Sequence, residues 1–133
     1  MRRSSIVLVA VFGFMGCAVG PTTRNFGPAA GPQGIAANLR VRWGPKGRVQ
    51  GELLEVQDTA LVLLSANRVV LVPLRVIIAG QFSRRGTLIE EGRASRRSLD
   101  RLRIVSRFPA GLTPEIRTRL LAAYGQTAPD GPP

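Results

Sequence analysis

Few side chains in this sequence could carry out covalent or acid–base chemistry. Cys17 is the only cysteine and the sequence has no histidine, which excludes Cys–His and Ser–His nucleophile pairs and zinc sites with several Cys or His ligands. A lone cysteine also excludes a disulfide within the chain. Glu90 and Glu91 are adjacent, so neither a helix nor a strand would direct both carboxylates at one substrate atom. We therefore expect a protein that is not an enzyme, with no catalytic residue, metal site or cofactor.

The composition is that of a small, strongly basic domain. The 133 residues include 19 basic and 8 acidic side chains, a net charge of +11. Eighteen of the basic residues are arginines and Lys46 is the one lysine. Such a charge attracts polyanions, while an apolar content of 44% can supply one hydrophobic core.

The N-terminus has the pattern of an export signal. Arg2 and Arg3 precede an uncharged apolar run at residues 6–16. Even when extended to residue 20, this run would form a helix of roughly 22 Å, shorter than the roughly 30 Å hydrocarbon core of a membrane. Positive charge followed by a short apolar run is typical of a secretory signal. A short uncleaved anchor helix is the alternative.

Cys17 stands at the end of that apolar run. The sequence Phe14-Met15-Gly16-Cys17 resembles the signal of bacterial lipoproteins, in which a small residue precedes the cysteine that receives the lipid. The resemblance implies a signal peptide at residues 1–16 and lipidation of Cys17. It also implies export to the cell envelope, with the protein anchored to a membrane on the periplasmic or extracytoplasmic side.

A tether and a β-rich region follow. Residues 17–37 are predicted to form a spacer, because seven of the fifteen residues from 20 to 34 are Gly or Pro. From residue 38 the hydrophobic period becomes two: Leu39, Val41 and Trp43 share one face, and Arg40 and Arg42 the other. We expect five extended segments between residues 38 and 83.

The later segments show breaks at defined positions. Gly51 and a change of parity at Leu54 predict a bend or bulge in the second strand. Ala66 and Asn67 predict a two-residue turn, and Pro73 predicts a strand end. A tight break then precedes the fifth segment.

These five strands resemble the Sm-like small β-barrel. The resemblance is carried by Gly51-Glu52-Leu53, Asp58, Leu61-Val62-Leu63, Val72-Pro73-Leu74 and Ile77. It implies a mainly β fold: a five-stranded small barrel at residues 38–83 with one or two short C-terminal α-helices, preceded by the N-terminal signal or anchor helix.

The RNA-reading residues of the Sm-like family are not matched. Thr59 and Ala60 separate Asp58 from Leu61, and no Asn is present there. Leu74-Arg75-Val76 stands where the family has Arg-Gly or Lys-His. We therefore do not expect a nucleic-acid partner, and an Sm-like nucleic-acid-binding protein is the alternative function.

Residues 84–125 form a basic segment with predicted helices. Ser95 is a candidate N-cap, and Leu99, Leu102 and Val105 recur at helical spacing. A strand from residue 102 to 108 is the competing interpretation. A second helix is predicted after Thr113, ending before Gly125, and residues 126–133 are predicted to form a disordered tail.

The basic segment supplies the candidate binding residues. Eight arginines lie between residues 84 and 107 against three acidic residues. The predicted polyanion-binding set is Arg84, Arg85, Arg96, Arg97, Arg101, Arg103 and Arg107. A solvated basic surface is the alternative, because the preference for Arg over Lys extends along the whole chain.

Together these features predict a membrane-tethered, non-catalytic interaction or scaffolding module of the bacterial cell envelope. Its expected partners are a membrane, reached through an N-terminal lipid or anchor, and either anionic lipid or a protein.

Overall fold

The computed structural model describes residues 35–132. The predicted signal peptide, Cys17 and all but the last residues of the predicted tether lie outside this range. Within it, the chain forms six strands, a short 3-10 turn and two helices. In chain order they are β1 (Ala36–Val41), β2 (Arg48–Val56), β3 (Ala60–Ser65), β4 (Arg68–Pro73), the 3-10 turn (Leu74–Val76), β5 (Ile77–Phe82), β6 (Gly86–Glu90), α1 (Arg96–Val105) and α2 (Pro114–Ala123).

The strands form one antiparallel sheet in the order β4-β3-β2-β1-β5-β6. The predicted mainly β fold with two C-terminal helices is confirmed. The predicted closure into a five-stranded barrel is wrong, because β4 and β6 lie at opposite edges of the described sheet and do not pair.

The sixth strand lies in the first part of the predicted basic segment, before the predicted helix. Arg85 N–H donates to the Phe82 carbonyl at 3.0 Å, and Arg84 adopts a left-handed φ of 62°. This turn reverses the chain so that Gly86–Glu90 pairs with β5. The strand is therefore specified by its neighbour more than by its own composition.

The predicted bend or bulge in β2 is present as a bulge that follows the glycine. A Cβ on Gly51 would lie 2.0 Å from the Leu64 carbonyl oxygen, so only glycine fits this close approach of two strands. The β2–β3 register shifts between Leu53 and Glu55. Leu53 and Leu54 point into two different hydrophobic clusters, because successive residues of a strand face opposite sides of the sheet.

Each helix covers its own side of the sheet. Leu99 and Leu102 of α1 join the larger cluster with Leu39, Val41 and the inward residues of the other strands. Leu120 and Leu121 of α2 pack with Leu54, Val62, Val69 and Phe108 in the second cluster. Residues 60–64 are continuously apolar because β3 is covered on both faces.

The C-terminal residues were predicted to form a disordered tail, whereas the structure places residues 126–130 along β4. Gln126 is buried; its side chain accepts from Val69 N–H at 2.7 Å and donates to the Val69 carbonyl at 3.0 Å. Leu71 N–H donates to the Asp130 carbonyl at 2.7 Å. An edge strand has unsatisfied backbone groups, and this segment satisfies them for β4.

Candidate anion-binding surface

Helix α1 positions most of the predicted binding residues, and the helical interpretation of this segment is confirmed. Ser95 caps the helix, since its hydroxyl accepts from Ser98 N–H at 3.0 Å. Leu99 and Leu102 are buried in the larger cluster. The side of α1 opposite these leucines therefore faces solvent.

That solvent side carries Arg96, Arg97, Arg101 and Ile104, which we call the α1 arginine face. All four side chains are exposed. Ile104 is 66% exposed and is the one exposed large hydrophobic side chain among the described residues. Positions 97, 101 and 104 recur at spacings of four and three, which places them on one helix face. The sequence interpretation did not single out Ile104, although this spacing would have found it.

Arg103 and Arg107 do not belong to this exposed face. Arg103 Nη2 donates to Asp58 Oδ1 at 2.6 Å, its Nη1 donates to Asp100 at 2.7 Å and its Nε donates to the Val56 carbonyl at 3.2 Å. The side chain thus fastens α1 to the end of β2. Its guanidinium therefore donates to groups of the fold and does not face solvent with the α1 arginine face.

Arg107 lies beyond the end of α1 and is 3% exposed. Its guanidinium nitrogen is 3.8 Å from Glu52 Oε1. Arg107 N–H donates to the Leu53 carbonyl at 3.0 Å, and Phe108 N–H donates to the Leu54 carbonyl at 2.9 Å. Arg107, a member of the predicted polyanion-binding set, is therefore buried, because this segment binds carbonyls of β2 at its bulge.

Arg84 and Arg85 are exposed in the turn between β5 and β6. The seven predicted arginines therefore fall into three groups: this turn pair, the three arginines on α1, and the two engaged inside the fold. Only the group on α1 combines several exposed guanidinium groups with an exposed apolar side chain.

Carboxylates of the fold are mostly paired with other arginines. Six of the eight pair as follows: Glu91 with Arg42, Asp130 with Arg68, Asp58 and Asp100 with Arg103, Glu52 with Arg107 and Glu55 with Arg117. Within residues 35–132, none pairs with an arginine of the α1 arginine face. The positive charge of this face is thus not neutralised by the described part of the protein.

Glu55 is a buried carboxylate that sequence reasoning did not single out. It accepts hydrogen bonds from Gln57 Nε2 at 2.8 Å and from the Leu112 N–H, and Arg117 lies 3.7 Å away. These contacts hold the loop before α2 against β2. The role of Glu55 is structural, because its oxygens are occupied by groups of the fold.

The groups with shifted pKa values also serve the fold. Burial raises the pKa of the Tyr124 hydroxyl, and the charge of Glu52 adds to the shift. The hydrogen bonds from Arg68 lower the pKa of Asp130. Tyr124 therefore stays neutral, and Asp130 stays ionised, at neutral pH.

The described residues contain neither a group of three or more potential metal ligands nor a helix long and apolar enough to cross a membrane. Comparison of the chain with protein-family models, curated proteins and solved structures found no significant match. The function is therefore inferred from the chemistry of the α1 arginine face.

Proposed function

We propose that this protein is a non-catalytic interaction module of the bacterial cell envelope, tethered to a membrane through Cys17 and binding anionic lipid headgroups with the α1 arginine face. The observation that carries the proposal is the exposure of Ile104 among three arginines that have no carboxylate partner in the described structure. The resemblance of residues 14–17 to a lipoprotein signal supports the tether. The Sm-like resemblance contributes only the expectation of a small β platform.

The chemistry of the face suits a membrane surface. Guanidinium groups form paired hydrogen bonds with phosphate oxygens, and each arginine near an anionic surface contributes about 1 kcal/mol. Three arginines would favour an anionic over a neutral surface by roughly 10²-fold. Burial of Ile104 at the headgroup boundary would add about 2 kcal/mol. Such binding is modest alone and effective beside a lipid anchor.

Vesicle binding tests the lipid contact. The expected mature chain, from residue 17 with Cys17→Ser to remove the lipid site, should prefer anionic over zwitterionic vesicles at low salt. The preference should shrink near 0.15 M salt, where the Debye length falls to about 8 Å. Changing Arg96, Arg97 and Arg101 together to Gln should remove most of it.

The matched control changes Arg40, Arg42 and Arg48 to Gln, which removes the same charge from residues that lie off α1. This control should retain most of the vesicle preference. Equal losses in the two variants would show that net charge alone drives binding, and no preference at low salt would reject the lipid contact.

Processing tests the tether independently. In the native cell the wild-type protein should have the mass of a lipidated chain beginning at Cys17 and should partition into detergent. The Cys17→Ser protein should lose the lipid mass. An identical mass and soluble behaviour for both proteins would reject lipidation while leaving the vesicle result unaffected.

A further inference from the structure

A second polar surface lies on the other side of the sheet from α1. In the β1–β2 register Asn38 stands opposite Gln50 and Arg40 opposite Arg48, and in the β1–β5 register Asn38 stands opposite Gln81. The alternate residues Leu39 and Val41 are buried in the larger cluster under α1. We call the outward set, Asn38, Arg40, Arg48, Gln50 and Gln81, the polar sheet face.

The fold itself makes no use of these side chains. Arg40 and Arg48 are directly opposite each other in an antiparallel pair, an arrangement that is destabilising for like charges. No hydrogen bond or ion pair within residues 35–132 engages either guanidinium or the three amides. A destabilising pair that nothing in the described structure compensates points to a ligand of opposite charge.

Three shallow concavities lie along the polar sheet face. Arg40, Lys46, Arg48, Gln50 and Ser65 line an open concavity of about 810 Å³. An adjoining concavity of about 400 Å³ is lined by Asn38, Gln50 and Gln81 among others. A smaller one of about 120 Å³ connects Arg40 and Arg48 with Asn38 and Gln81. Cationic groups and neutral amides therefore line neighbouring open concavities that have residues in common, rather than a closed pocket for a single ion.

We propose that the polar sheet face binds an acidic oligosaccharide. Arg40 and Arg48 would pair with a carboxylate or sulfate group of the sugar. The amides of Asn38, Gln50 and Gln81 can each donate and accept, which suits the hydroxyl groups of the same ligand. Adjacent strands are about 4.8 Å apart, so the row of amides follows an extended chain across β2, β1 and β5.

The arrangement favours this ligand over the lipid proposed for α1. Arg40 lies on the face of β1 opposite the one that packs against α1. A bilayer bound by the α1 arginine face would therefore lie on the far side of the domain. The site does not depend on the proposed membrane contact, and it stands if that contact fails.

Binding of defined oligomers to the full chain in neutral detergent micelles tests the inference. An oligogalacturonate should bind in a titration, while a neutral malto-oligosaccharide of equal length should not. When Arg96, Arg97 and Arg101 are changed to Gln, so that the α1 arginine face adds no phosphate site, inorganic polyphosphate of comparable charge should bind more weakly than the oligogalacturonate, because it has no hydroxyl groups for the amides. Polyphosphate binding as tight as the oligogalacturonate, or no oligogalacturonate binding, would overturn the proposal.

Three substitutions locate the site. Arg48→Glu should lower oligogalacturonate affinity by about tenfold or more and should raise the melting temperature, because the new carboxylate faces Arg40. Arg96→Glu on α1 changes the charge equally and should leave the affinity within about threefold. Equal losses in both variants would show nonspecific attraction. Arg48→Thr repeats the affinity test without adding a negative charge.

Discussion

Arg103 and Asp58 join helix α1 to the turn between β2 and β3, with a guanidinium-to-carboxylate distance of 2.6 Å. Arg103 also donates to the Val56 carbonyl and to Asp100. The contacts of Arg103, together with the packing of Leu99 and Leu102 in the core, set the rotation of the helix about its axis. That rotation is what turns Arg97, Arg101 and Ile104 outward.

Replacing Arg103 tests this anchor. Arg103→Met keeps the length of the side chain but leaves the Val56 carbonyl without this donor, and should lower the free energy of unfolding by about 1–2 kcal/mol. Asp58 is 93% exposed in its side chain, so Asp58→Asn should cost less than about 1 kcal/mol. Urea unfolding of both variants measures the difference. Equal costs would mean that the exposed ion pair alone provides the anchor.

Replacing Gly51 tests the bend in β2. The added methyl of Gly51→Ala would lie 2.0 Å from the Leu64 carbonyl oxygen, so the strands must separate, at a cost of about 3 kcal/mol or loss of folding. Gly131→Ala is the control, since its Cβ would meet its nearest atom at 3.8 Å. Thermal unfolding should show a large change for the first variant only, and an unchanged Gly51→Ala protein would contradict the described bend.

Replacing Gln126 tests the docking of the C-terminal segment on β4. Gln126→Ala leaves the Val69 N–H without its described acceptor, while the Val69 carbonyl keeps the Asp130 N–H, and should cost about 1–3 kcal/mol. Thr127→Ala, at an exposed neighbouring position, should be neutral within about 0.5 kcal/mol. Denaturant midpoints compare the two. A neutral Gln126→Ala would indicate that the segment leaves β4 in solution.

Acid should release the other contact of this segment. Hydrogen bonds from Arg68 hold the pKa of Asp130 below its usual value of 3.8, against an opposing effect of burial. A lowered pKa stabilises the folded state at pH values above the usual one, and the contribution disappears as the pH falls through the folded-state pKa. The melting-temperature difference between wild type and Asp130→Asn should therefore be constant above about pH 5. It should begin to shrink near pH 3.8 and disappear once the pH lies below the folded-state pKa of Asp130; a difference that did not shrink at all on acidification would contradict the assignment.

The sequence patterns predicted the local features of the fold well. Three features were predicted correctly, because each depends on one residue type at one position. They are the turn at Ala66 and Asn67, both with left-handed φ, the bulge after Gly51 and the helix cap at Ser95. Helix and strand remained alternatives for residues 102–105, since the apolar spacing fits both. Packing of Leu99 and Leu102 against the sheet favours the helix.

Non-local features could not be read from the sequence. β6 exists because β5 pairs with it, and the C-terminal segment is ordered because β4 has an open edge. Arg107 is buried because it meets Glu52, 55 positions earlier in the chain. Composition assigned all these residues to exposed segments. Only the structure shows which of the predicted arginines are exposed and which, Arg103 and Arg107, bind groups of the fold.

Ile104 should matter for binding and not for folding. It is 66% exposed, so Ile104→Gln should change stability by less than about 0.5 kcal/mol. The same change should weaken binding to anionic vesicles by roughly tenfold, because the apolar side chain no longer enters the headgroup region. Sedimentation with vesicles and thermal unfolding together measure both effects. A large loss of stability without loss of binding would contradict the assigned role.

The depth of helix α1 in the membrane tests the proposed lipid contact. In a Cys17→Ser background, a fluorophore is attached at Ile104→Cys or, as the control, at Gln81→Cys on the polar sheet face, and quenchers are placed in the acyl chains of the lipid. The account predicts quenching of the label at position 104 on anionic vesicles, none on zwitterionic vesicles, and none at position 81 on either. Quenching at position 81 equal to or greater than that at position 104 would contradict the membrane contact through α1.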